Sequence, residues 1–193
     1  IFNAIPVIFD GKFADDFNAG LQPGWVEHPN SPIPRWVVED GRYRTSEIGA
    51  NNSTNSCEKL KNYEVVVNIR REGDHSQGDY FGLILRYPSS LESNASGYYV
   101  ARVICFSCDA EPENHRYRLE LIDRQGLVDD VLASVVLDPD EFPFTTGEDY
   151  TLKASVAGDT LIAKFWKSSE LEPSDNPAET PKAADPPNPE QRG

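Results

Sequence analysis

The run Cys105-Phe106-Ser107-Cys108 is where this sequence can most directly do chemistry, and its neighbours decide which kind. Two thiols spaced this way take a haem thioether link only when His follows the second, and Asp109 stands there. Catalytic thiol–disulfide exchange normally places the first thiol at the opening of a helix in a βαβ unit, and the flanking residues carry no such pattern. Two products remain. One is a loop disulfide, either Cys105 with Cys108 or Cys57 with one of them. The other is a zinc set of Cys57, Cys105, Cys108 and His115, whose thiolates and imidazole meet a tetrahedral demand. Cys105 and Cys108 are the candidate disulfide residues, with the connectivity to Cys57 left open.

Oxygen ligands for calcium are offered by two acidic loops, with Asp16 in FDGKFADDF and Asp138 and Asp140 in LDPDEF. Neither has EF-hand spacing, so solvated turn carboxylates are the competing account. His28, His75 and His115 stand in no nucleophile-elbow or zinc-protease pattern. A glycosidase needs two carboxylates flanking the sugar, and the nearest pair on one strand is Glu120 with Asp123. Asn51, Asn52 and Asn94 fit the acceptor triplet for N-glycosylation. With a disulfide, they place the chain in an extracellular or cell-surface setting.

The elements that position these residues are strands. NYEVVVNIRR alternates with a period of two, and DYFGLILRY, GYYVARVIC, HRYRLELID, GLVDDVLASVVL, EDYTLKASVAG and DTLIAKFWK follow at similar intervals. Asp40-Gly41 and Gly158-Asp159 lie between apolar runs as hairpin turns do. No stretch keeps a 3.6-residue period, so the expectation is all-β: an antiparallel two-sheet β-sandwich over residues 1–167. From Ser168 the chain carries six of its fifteen prolines and no aromatic residue. Residues 168–193 therefore read as a disordered, acidic, Pro-rich tail or linker to other domains.

Charge and hydropathy exclude two partner classes. Eighteen Lys and Arg against thirty-two Asp and Glu leave −14, which disfavours nucleic acid and anionic lipid. No apolar run is long enough to span a membrane. The start at Ile1, in a chain without Met, reads as a mature or trimmed piece of a longer product.

Alternation also assigns faces. With Leu83, Leu85, Tyr99, Ala101, Val103, Tyr117, Leu119 and Leu121 turned inward, Tyr80, Arg86, Tyr98, Arg102, Arg118 and Glu120 turn outward. Asn68 and Arg70 are expected to join them from NYEVVVNIRR. Arginine forks match carboxylates and tyrosine rings stack on sugars, so this face suits a saccharide, including an acidic one. The competing account is a solvated surface, since antiparallel sheets are normally polar on one side.

Taken in order, the DDF run at Asp15–Phe17, Trp25, WVVEDGRYR, YFGLILRY, GYYVARV, RYRLELID and EDYTLKASVAGDTLIAKFW resemble the concanavalin A-like lectin/glucanase sandwiches. The similarity is greatest to the laminin-G-like branch with its 3-keto-disaccharide hydrolase domains, and covers roughly residues 8 to 166. That resemblance implies a jelly-roll sandwich, often with calcium. The chain departs from it by lacking an ExDxE-type carboxylate set and a closing Gly-x-Gly-Leu strand. The Ala4–Phe9 run, or a strand from another molecule, would have to fill that edge.

The expected function is a noncatalytic carbohydrate-binding or adhesion module of a secreted protein, taking a polysaccharide or glycan. One alternative is a hydrolase of the 3-keto-disaccharide type. The other is a self-associating structural subunit whose N-terminal strand completes its neighbour.

Overall fold

Strand formation follows from the residue types: Val, Ile, Tyr, Phe and Thr dominate the alternating runs, and their branched or aromatic side chains fill a pleated surface better than a helix face. A computed structural model describes residues 2–7, 17–20, 25–27, 37–45, 53–55, 62–73, 77–86, 97–108, 115–125, 128–137, 139, 144–173 and 178–179. The strands within them are β1 (Phe2–Val7), β2 (Trp25–Glu27), β3 (Val37–Glu39), β4 (Arg42–Thr45), β5 (Ser53–Asn55), β6 (Tyr63–Arg71) and β7 (Tyr80–Leu85). They continue with β8 (Tyr98–Ser107), β9 (Arg116–Gln125), β10 (Val128–Leu137), β11 (Asp149–Ala157), β12 (Thr160–Lys167) and β13 (Ala178–Glu179). Among the described residues no helix is long and apolar enough to cross a membrane.

These strands make three antiparallel sheets. Seven are ordered β13-β12-β11-β6-β1-β4-β3, four are ordered β10-β9-β8-β7, and β2 pairs with β5. The two larger sheets face each other as a sandwich. Val67, Ile69, Leu152, Ala154, Ala163 and Phe165 from one meet Leu85, Tyr99, Ala101, Val103, Leu119 and Leu121 from the other in one buried core. Phe144, entering from the loop before β11, closes one end with its ring centroid 4.7 Å from Tyr150 and 5.0 Å from Tyr117. Each fully buried side chain of this size contributes roughly 1.5–3 kcal/mol.

The β3–β4 hairpin shows how locally the chain is directed. Asp40 and Gly41 both have positive φ, 53° and 68°, the pattern of a type I′ turn whose twist matches paired strands. Ala157 pairs with Thr160, so Gly158-Asp159 is the two-residue turn between β11 and β12.

Two expectations about the sheet edges are corrected. The N-terminal run does not sit beside β12. Instead β1 lies between β6 and β4, with Phe2 opposite both Arg71 and Thr45. The neighbour of β12 is β13, drawn from the Pro-rich segment, with Ala178 opposite Ala163 and Glu179 opposite Ile162. That segment is also docked at its beginning. The Ser168 amide donates to Asp149 O at 2.9 Å. Lys153 and Lys164 both reach the Glu172 carboxylate, and Lys164 Nζ donates to Pro173 O. Two lysines side by side on β11 and β12 need a counter-charge, which explains why the chain stays on the sheet past residue 167. The rest of the expected tail lies outside the described residues.

Candidate functional site

On the outer surface of the four-stranded sheet, ladder register arranges side chains into cross-strand rows. Ile84, Val100, Ile122 and Val131 form one row; Gly82, Arg102 and Glu120 form the next; Tyr80, Ile104, Arg118 and Val136 form a third. Tyr98, Arg124 and Asp129 make the row on the far side of Ile122.

Gly82 makes this arrangement possible. A Cβ built there would lie 2.3 Å from Ala101 O and 2.9 Å from Arg102 Cα, so only glycine lets β7 approach β8 this closely. With no side chain at that position, Tyr80 lies over the guanidinium of Arg102, whose Cζ is 5.1 Å from the ring centroid.

Arg102 organises the face. Its Nε donates to Glu120 Oε2 at 2.9 Å and its Nη1 to Asp129 Oδ2 at 2.8 Å. To reach from Glu120 to Asp129 it must cross the Ile122 position. Ile122 is 0% exposed although it points away from the core. Arg118 Nη2 pairs with Glu120 Oε1 at 3.2 Å, and Arg124 Nε with Asp129 Oδ1 at 3.3 Å. The chain is three arginines bridging two carboxylates, a local surplus of positive charge on an acidic protein. Burial works against the Arg124 charge, and the Tyr80 hydroxyl and Asp129 outweigh it, so this guanidinium is held above its ordinary value. Arg118 stands over the Phe106 ring, Cζ 4.7 Å from its centroid. The Arg118 side chain is 37% exposed, yet its Nε is buried without a hydrogen-bond partner.

The residues expected here are thus brought together in part. Tyr80, Tyr98, Arg102, Arg118 and Glu120 share the surface. Asn68 and Arg70 do not, because β6 belongs to the seven-stranded sheet. There Asn68 Oδ1 accepts from Thr151 Oγ1, and Arg70 forms a two-pronged pair with Asp149 at 2.7 and 2.6 Å. That fork raises the Arg70 guanidinium and lowers the Asp149 carboxyl from their ordinary values. Arg86 leaves the surface too. It follows the end of β7 with φ of 52°, its amide donates to the Tyr63 hydroxyl, and its guanidinium reaches Gly158 O in the opposite sheet's hairpin. Sequence reasoning missed Arg124 and Asp129; Arg124 shares its parity with Arg118 and Glu120 on β9, a signal that was present.

Cys105 and Cys108 are joined as a disulfide, with Cα atoms 6.0 Å apart. Asp16, Asp138, Asp140, Asn51, Asn52, Asn94, Cys57, His28 and His75 lie outside the described residues. Among the described ones, the donors that gather are sulfur and nitrogen, which do not fit calcium. Comparison with family models, curated proteins and solved structures finds no match for this chain. What the fold and surface define is a β-sandwich with an arginine-rich outer face.

Proposed function

We propose that the chain is a noncatalytic binding module of the concanavalin A-like kind that takes an acidic saccharide on the outer face of its four-stranded sheet. The observation that carries this is the arginine surplus at Arg118. One oxygen of Glu120 engages its Nη2, yet the Arg118 side chain stays 37% exposed, in the same cross-strand row as Tyr80, which is 38% exposed. A uronate or sulfate oxygen pairs with this exposed arginine, while an aromatic plane accepts the apolar side of a sugar ring. A hydrolytic reading finds less support. Both carboxylates of the face are each engaged by two guanidinium groups, and Glu120 is 1% exposed, so neither presents a free oxygen to a glycosidic bond. A module of this kind belongs outside the cytoplasm, where a Cys105–Cys108 disulfide persists.

The test is calorimetric titration of the full chain with polyuronate and, in parallel, with a neutral glucan. Saturable binding to the polyuronate alone is expected. Arg118→Ala should weaken it about 10- to 100-fold, the value of one or two charge-assisted hydrogen bonds. Equal affinity for the neutral glucan, or an Arg118→Ala variant that binds as tightly as the parent, overturns the reading.

A further inference from the structure

The end of β8 and the start of β9 carry a cluster that the outer face does not use. Cys105 pairs with Tyr117, and a bulge then sets Ser107 opposite Arg116, so Cys108 leaves β8 where His115 enters β9. One donor atom from each of Cys105, Cys108 and His115 lies within 4.8 Å of the other two. Cys105 and His115 are buried, and Cys108 is half-buried. The backbone holding Cys105 is fixed from β7's side: its amide donates to Asp79 O at 2.9 Å and its carbonyl accepts from Gly78 N at 2.8 Å. The Tyr117 hydroxyl lies 3.4 Å from His115 Nδ1 and orients the ring. A disulfide is complete with two sulfurs. The buried imidazole brought up against it is a third donor that the disulfide itself does not require.

We propose that the Cys105–Cys108 disulfide is a redox latch on a soft-metal site, and that reduction lets Cys105, Cys108 and His115 bind zinc. A dithiol reductant supplies two electrons and two protons: the Cys105–Cys108 bond breaks, two thiols form, and the reductant becomes a cyclic disulfide. Zinc binding then releases those two protons. Two thiolates cancel the charge of the divalent ion, neutral His115 completes a three-donor set, and a water fills the fourth tetrahedral position. The spacing of Cys105 and Cys108, with two residues between them at the end of β8, is that of half a structural zinc site.

The experiment compares the full chain as the disulfide with the chain reduced by dithiothreitol and desalted without air, each titrated with Co(II). The reduced chain should bind one cobalt ion with tetrahedral visible bands and thiolate-to-cobalt charge transfer, at least about 100-fold more tightly than the disulfide form, and zinc should displace it. Reduced Cys108→Ser should lose charge-transfer intensity, and reduced His115→Ala should lose at least about tenfold in affinity, with far-ultraviolet circular dichroism verifying that each is folded. A reduced chain that binds cobalt no better than the disulfide form overturns the proposal. So does a folded His115→Ala variant with unchanged spectrum and affinity.

Discussion

Glu120 stands directly opposite Arg102 in the β8–β9 ladder and is 1% exposed, although it points to the outer side of its sheet. Each of its oxygens meets a different guanidinium, Arg102 on Oε2 and Arg118 on Oε1. This carboxylate is therefore a buttress that sets where two arginines point. Arg118 and Tyr80 are the more exposed side chains of the face, and the proposed saccharide contact rests on them.

Removing the buttress should be costly. Glu120→Ala leaves Arg102 buried with only Asp129 to balance it, and a loss of about 3–5 kcal/mol is expected in urea unfolding. The double replacement Arg102→Met with Glu120→Leu removes both charges and should lie within about 1 kcal/mol of the parent, or above it. A single Glu120→Ala variant as stable as the parent would show that the pair is solvated after all.

Gly82 has no tolerated replacement short of moving β7. Gly82→Ala puts a methyl against Ala101 O and the Arg102 backbone, and should cost about 1–3 kcal/mol with a lowered Tm. It should also weaken polyuronate binding, since β7 carries Tyr80.

Acid should unfasten the opposite sheet's salt ladder. The Arg70 fork holds the Asp149 carboxyl below its ordinary value, with Arg42 adding to the effect. The stabilisation is complete above the unfolded value of about 3.9 and is lost as pH falls below it through the folded value. Asp149 is well exposed, so screening keeps the size within about 1 kcal/mol. Asp149→Asn should flatten stability against pH in that window and leave it parallel to the parent near neutrality; an unchanged acid limb would contradict the pairing.

Cutting the chain after Pro173 removes β13 and bares the β12 edge. Such a truncation should keep its core and yet associate as concentration rises, which light scattering would register. Glu172→Ala, which loses the shared contact with Lys153 and Lys164, should cost less than about 1 kcal/mol because these groups remain partly solvated.

Parity told which side of a strand each residue takes, and Tyr99, Ala101, Val103, Tyr117, Leu119 and Leu121 are buried as alternation requires. The Asp40-Gly41 turn was equally legible, because positive φ at two successive positions demands those residue types. Parity does not say which sheet a strand joins. Asn68 and Arg70 share the outward sense of Arg102, but β6 pairs with β11 and β1, which depends on contacts far apart in the chain. The Arg102–Asp129 bond was hidden for a related reason. It runs diagonally over an intervening strand, and spacing along one strand carries no record of it.

The position of β1 decides how the larger sheet comes together in time. Its partners, β4 and β6, follow it in the chain, and its first residue pairs with Arg71. This strand therefore waits for β4 before its first pairing and for β6 before its second. It then closes a gap between two strand groups that nothing else within the seven-strand order connects. Such long-range closure is slow compared with forming the β3–β4 or β11–β12 hairpins. Refolding should accordingly show hairpin structure early and the full sheet last, with the long-range β1–β6 and β6–β11 pairings as the slow events.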